Sequence, residues 1–190
     1  HKEGLFAATT GHGTSRVVDF VAEQNNWPTL TGDVPNAFNT TPVPDDIVLY
    51  CKPPEAWVMR DPENRRSQGW RIRKVLPGMR EGPRLWLDFF FTKMTEHGFS
   101  RDTNDGTCFK QEERGVFFEG HMDDVHATGA YPGLSWFAVI MEEMFKVRSA
   151  IHGIHEADYE HLRRRRRRTP YGTFITAGAH HLEHLMALFG

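Results

Sequence analysis

Cysteine is almost absent: Cys51 and Cys108 are the only two in 190 residues. That excludes a disulfide framework and a zinc site built from thiolates, and it favours a reducing, intracellular compartment. No apolar run approaches the eighteen or so residues that cross a bilayer. The longest candidate, "LSWFAVIMEEMF", is broken by Glu142 and Glu143, so no transmembrane segment is expected. The first thirteen residues, "HKEGLFAATTGHG", have neither an initiating Met nor the apolar core of a signal peptide. They read as the start of a fragment or a processed product. A surplus of one charge is missing as well. Lys and Arg number 23 against 25 Asp and Glu, a net charge of -2, so nucleic-acid binding would have to rest on local patches.

What is present describes an ordinary globular chain, 39% apolar and 25% charged, long enough for one core plus an appendage. "TSRVVDFVAEQ" (14–24) predicts a helix, capped by Thr14 or Ser15, with Val17, Phe20 and Val21 sharing an apolar face. "WPTLTGDV" (27–34) predicts a strand that ends near Asp33, and Ile47–Cys51 a short strand between prolines. The stretch 59–84 is loop-rich and locally basic. A helix over 82–99 follows, with Pro83 in its first turn, Trp86, Phe89, Phe90 and Met94 on one side, and Gly98 as its C-cap. Residues 108–129 predict strands joined by turns at Arg114-Gly115 and Asp123-Asp124. Helices over 134–147 and at "HHLEHLMALF" enclose a polar stretch with the run Arg163–Arg168 and a short strand "YGTFI". Strands and helices without regular alternation argue for an α+β fold.

Three acids carry the chemistry. Asp33 ends one predicted strand, and Asp123 and Asp124 sit at a predicted hairpin turn. An acidic dipeptide reads either as a solvated turn or as half of a divalent-cation site. Carboxylates from two strands are a minimal scaffold for two magnesium ions about 3.5–4 Å apart, which take few protein ligands and fill their shells with water and phosphate.

The motifs around these acids resemble the reverse transcriptases of Ty1/copia-type retrotransposons. "TGDVPNAFN" is similar to their DVK-AFL-type motif, "VLPGMREGPRLWLDFF" to LYGLKQ-PR-W, and "FEGHMDDVHATG" to the YVDD-LL-TG hairpin. "PDDIVLYCKPPEAW" and "TEHGFSRDTNDGTCF" resemble further segments in the same order, over roughly residues 14 to 150. The resemblance implies a polymerase palm over residues 1–150, an antiparallel sheet backed by helices, with most of the fingers missing. Residues 151–190 would add an Arg-rich linker, a short strand and a C-terminal helix. It also implies RNA-directed DNA polymerase activity by two-metal nucleotidyl transfer. Asp33, Asp123 and Asp124 would be the catalytic carboxylates and would bind Mg2+ or Mn2+, with the Val34 carbonyl as a further ligand. Phe38, Gly78 and Arg80 would meet the incoming nucleotide. Arg73, Lys74 and His121 would meet the RNA or DNA template-primer. Phe38 reads equally well as a core aromatic.

The sequence departs from the family pattern at several places. His121 and Pro77 stand where tyrosines are usual, Glu81 where a glutamine is, and Asn39 where a leucine is. These departures support a second function class: an inactive retroelement-derived fragment serving as a structural subunit, with protein partners in a larger assembly. Two other features have both bland and functional readings. The Arg163–Arg168 run reads as a solvated or disordered segment, or as a phosphate-binding patch. His180 and His184, beside His181, have the i, i+4 spacing that can hold zinc.

Overall fold

The computed structural model describes residues 12–66, 68–155 and 157–189. In chain order its elements are α1 (His12–Gln24), β1 (Thr29–Asp33), α2 (Ala37–Thr40), β2 (Tyr50–Cys51), α3 (Glu55–Val58), α4 (Pro62–Arg65), β3 (Trp70–Arg71) and α5 (Gly82–Glu96). There follow β4 (Ser100–Arg101), β5 (Cys108–Gln111), β6 (Val116–His121), β7 (Asp124–Gly129), α6 (Tyr131–Phe145) and β8 (Arg148–His152). The chain ends with β9 (Asp158–His161), β10 (Arg164–Thr169), β11 (Gly172–Ala177) and α7 (Ala179–Phe189). The fold is α+β. Among the described residues one unit takes in 36–89 and the other 12–35 with 90–189.

The 36–89 unit is built around Val43, Val75 and Leu85, with Phe38, Ile47, Leu49, Ile72 and Met79 packed against them. Prolines keep its regular structure short. The strand expected over Ile47–Cys51 shrinks to Tyr50–Cys51, paired antiparallel with Trp70–Arg71. The Ile47 N–H is already committed to a turn, donating to the Pro44 carbonyl at 3.0 Å. Trp57 and Trp70 meet edge to face at 5.3 Å, and the Arg65 guanidinium lies 4.5 Å from the Trp57 ring centre.

The other unit centres on a six-stranded antiparallel sheet in the order β4-β5-β6-β7-β1-β8. Four of its strands, from the β8 edge inward, run β8-β1-β7-β6, so the path β1-α5-β6-β7-α6-β8 is the β-α-β-β-α-β arrangement. One face is aromatic. Phe118, fully buried on β6, stacks on Phe109 of β5 at 4.7 Å and touches Phe137 of α6 at 4.9 Å. Phe90 packs edge-on to Phe118 at 6.1 Å and against Phe145 at 5.2 Å. Gly32 is required on this face, because a Cβ there would lie 2.7 Å from Val147 Cγ1. Cys108 is buried on β5 opposite Glu119, and its thiol pKa is pushed up to about 12, first by burial and then by the charges of Asp105, Glu119 and Asp102. A thiol reagent at neutral pH should therefore modify half-buried Cys51 and spare Cys108 until the chain is denatured. A thiol titration with and without denaturant reads this directly.

The opposite face is polar, and what covers it departs from expectation. The inner face of α1 is not Val17, Phe20 and Val21. Val17 and Phe20 are 44% and 60% exposed, while Thr14, Ser15, Val18, Asp19 and Ala22 are buried. The helix turns its polar residues inward because the sheet face it covers is itself polar. The Arg163–Arg168 run likewise is not disordered, and only one side of it is solvated. Residues 164–169 form β10, the central strand of a β11-β10-β9 sheet. Strand alternation buries Arg166 and Arg168 and exposes Arg165 and Arg167.

Each buried arginine is hydrogen-bonded to the interior. Arg166 donates to Asp19 Oδ2 at 3.1 Å, to the His161 carbonyl at 2.9 Å and to Ser15 Oγ. Arg168 donates to the Ala22 carbonyl at 3.0 Å and to the Trp27 carbonyl, so it satisfies an acceptor in the last turn of α1. Outside the sheet, α7 forms as expected, but Leu185, Met186 and Phe189 are exposed. Among the described residues no helix is long and apolar enough to cross a membrane.

Candidate active site

Asp33 is the last residue of β1, and its register partner on β7 is Asp124. Asp124 also pairs with His121 of β6, so three side chains converge at one end of the polar face. Asp123 lies in the two-residue turn between β6 and β7, and its carbonyl accepts from the Val34 N–H at 2.8 Å. That bond ties the turn to the end of β1. Asp33 and Asp123 are exposed and Asp124 is half-buried. The Asp124 carboxyl pKa is raised from its ordinary value. Burial is the main cause, the charges of Asp123 and Asp33 add to it, and His161 and His121 oppose it. Crowded, partly hydrated carboxylate oxygens of this kind suit a hard divalent cation.

Met122, the first turn residue, has φ 56°. A two-residue hairpin needs positive φ at this place, and glycine normally supplies it. Left-handed backbone costs a non-glycine residue about 1–2 kcal/mol, and glycine's extra freedom in the unfolded chain costs about 0.4–1 kcal/mol. Met122→Gly should thus stabilise the chain by about 0.5–1 kcal/mol in a denaturant titration. Unchanged or lower stability would show that the Met122 side chain contributes more than the turn costs.

Two clefts share Asp124. One of about 420 Å³ is lined by His121, Asp123, Arg163 and Arg164 among others. The second, of about 520 Å³, is lined by Asp33, Arg148, His161 and Arg163 among others. Arginines therefore stand beside the carboxylates, on strands β8 and β10 and at the start of the Arg run.

Phe38, Arg73, Lys74, Gly78 and Arg80 belong to the 36–89 unit. Phe38 is half-buried against the Val43–Val75–Leu85 core. Arg73 lies 3.7 Å from Asp45, and Lys74 donates to the Thr40 carbonyl at 3.1 Å. Gly78 has φ 88°, and Arg80 is exposed. On α7, His180 and His184 are both exposed.

The sequence reading missed a buried polar network behind the acids. Glu119 on β6 and His126 on β7 are register partners, both fully buried. His161, at the end of β9, places Nε2 3.2 Å from Glu119 Oε1, and His126 Nδ1 lies 3.5 Å from the same oxygen. His126 Nε2 is 3.2 Å from the Tyr159 hydroxyl, which donates to Asp19 Oδ1 at 3.3 Å. Burial depresses the His126 pKa, against the pull of Glu119 and Asp19. One signal was present in the sequence: Glu119 and His121, like Asp124 and His126, stand two apart on strands and so share a face.

An α+β chain with acids at a strand end and at the neighbouring hairpin resembles, in sequence, segments of retroelement polyproteins. Two from Arabidopsis thaliana are similar to it. The retrovirus-related Pol polyprotein from transposon RE1 is 30% identical over 122 residues, 63% of this chain. That from transposon RE2 is 30% identical over 116 residues, 60% of this chain. The chain spans about 8% of the length of each. No family model matches the chain, and no solved structure does. The similarity supports a retrotransposon Pol origin for the chain.

Proposed function

We propose that this chain is the palm region of a copia-type reverse transcriptase, an RNA-directed DNA polymerase. The observation that carries the reading is the register of Asp33 with Asp124, which sets the acid at the end of β1 beside the acids of the β6–β7 hairpin. The likeness to Pol polyproteins supports it independently. The donor set fits magnesium or manganese: the acids offer only oxygen, two of them are open to solvent, and burial, with like charge added to it, disfavours ionised Asp124. Asp33, Asp123 and Asp124 would hold the cations, with the Val34 carbonyl as a candidate additional oxygen. Bound cations supply Lewis-acid activation of a primer 3′-hydroxyl and stabilise the leaving pyrophosphate.

The chain's own residues position and neutralise. The Val34–Asp123 backbone bond holds the hairpin turn at the end of β1. Arg163 and Arg164 offer positive charge beside the acids, where polyphosphate or template-primer backbone would lie. Phe38, Gly78 and Arg80 are proposed to meet the nucleotide, and Arg73, Lys74 and His121 the nucleic acid.

A specific observation favours a second reading, in which the chain is a retroelement-derived structural subunit. Leu185, Met186, Leu188 and Phe189 form an exposed apolar end on α7, the kind of surface that protein partners cover. Primer extension on an RNA template with Mg2+ or Mn2+ separates the two. Extension that depends on Asp123 supports the polymerase. A folded chain that neither extends a primer nor binds template-primer leaves the structural reading.

A further inference from the structure

We infer that Glu119, His126 and His161 form a zinc site, separate from the proposed magnesium-binding acids, that fastens β9 to the main sheet. Among the described residues these three make up the group whose potential ligand atoms all lie within 4.8 Å of one another. Two imidazoles and a carboxylate are a common zinc donor set. Tetrahedral zinc with bonds of about 2.0–2.1 Å spaces its ligand atoms about 3.3 Å apart. The two measured separations from Glu119 Oε1, 3.2 Å to His161 Nε2 and 3.5 Å to His126 Nδ1, bracket that value.

Hydrogen-bond bookkeeping supplies the second observation. Asp19 is ion-paired to Arg166 and can only accept, so the single proton of the Tyr159 hydroxyl goes to Asp19. Tyr159 must then accept from His126 Nε2–H. Nδ1 is then the His126 ring nitrogen left without a hydrogen-bond partner, 3.5 Å from a carboxylate oxygen. A divalent cation between that nitrogen and the carboxylate would satisfy both. Consistently, His126 Nδ1 and Glu119 Oε2 are buried and have no hydrogen-bond partner. With Glu119 bidentate, Nδ1, Nε2, Oε1 and Oε2 would make four donor atoms.

The surroundings match what supports a metal-bound histidine. The nitrogen of His126 that would not bind the metal is held by Tyr159, which is held in turn by Asp19 and Arg166. His161 also lines the cleft beside Asp124, which gives an ion a route inward.

The test is elemental analysis of the full chain, purified without chelator, followed by Co2+ titration of chelator-stripped protein. The expected result is one zinc per chain and a visible Co2+ spectrum of tetrahedral nitrogen and oxygen ligation. His161→Ala should abolish stoichiometric binding, and Tyr159→Phe should weaken it by about 10–100-fold. Asp33→Asn and Asp123→Asn should leave zinc content unchanged, which separates this site from the proposed polymerase site. Should the ligand variants fail to fold, the wild-type Co2+ titration decides alone. A folded wild-type chain that takes up neither zinc nor Co2+ at one equivalent overturns the proposal, as does full zinc retention in a folded His161→Ala chain.

Discussion

Asp123→Asn should lower primer extension on an RNA template by at least about 10²–10³-fold while leaving the fold intact. Removing one preorganised electrostatic contact from an active site costs on that order, and a metal ligand, the role proposed for Asp123, should not cost less. Asp123 is exposed in a turn, and what ties that turn to β1 is its backbone carbonyl, which asparagine keeps. The folding transition should therefore scarcely change.

Asp124→Asn makes a sharper pair with it. The raised pKa of Asp124 means that the folded chain disfavours its charged form. The folded state then loses stability relative to the unfolded as pH rises through the raised value, and at neutral pH it carries the whole penalty. Asparagine removes the penalty, so this variant should lose extension yet unfold at a higher temperature at neutral pH, with the gain shrinking in acid. Extension undiminished in both variants would sink the polymerase reading. A loss of extension accompanied by unfolding in Asp123→Asn would sink the role of the side chain.

The second large effect is on stability and lies inside the arginine run. Arg166→Met should destabilise the chain by about 3–5 kcal/mol, the usual consequence of leaving a buried charge without its partner. Here the stranded group is Asp19, 5% exposed, together with the acceptors Ser15 Oγ and the His161 carbonyl. Arg165, one residue earlier, makes a two-point pair with Asp158 at 2.7 and 2.5 Å. That pair stands in solvent, where such bonds contribute little, so Arg165→Ala should leave the unfolding midpoint nearly unchanged. The double variant Asp19→Asn with Arg166→Met should recover part of the loss, because no charge is then stranded. Equal effects at positions 165 and 166 in a denaturant titration would refute the assignment of β10's buried side.

The same arginines mark the division between what the sequence determined and what tertiary structure decided. Local chemistry fixed the helix over 82–96, through Pro83 in its first turn and Gly98, with φ 78°, just past its end. It fixed the β6–β7 hairpin as well, and the alternation that puts Asp124 and His126 on one face. Those rules act within a few residues, so one chain suffices to read them. The inner side of α1 could not be read this way. Hydrophobicity pointed to Val17 and Phe20, but the surface against which the helix packs carries Glu119 and His126, about a hundred residues away in sequence. Burial there selects hydrogen-bonding residues, Ser15 and Asp19. Six like charges in a row likewise read as solvated or disordered, since like charges repel. The two that turn inward find their partners more than 140 positions earlier: Asp19 pairs with Arg166, and the Ala22 and Trp27 carbonyls accept from Arg168. The two-residue period of a strand then decides which arginines face inward. Which residues carry charge was legible; which charges are paired depended on partners that only the fold brings near.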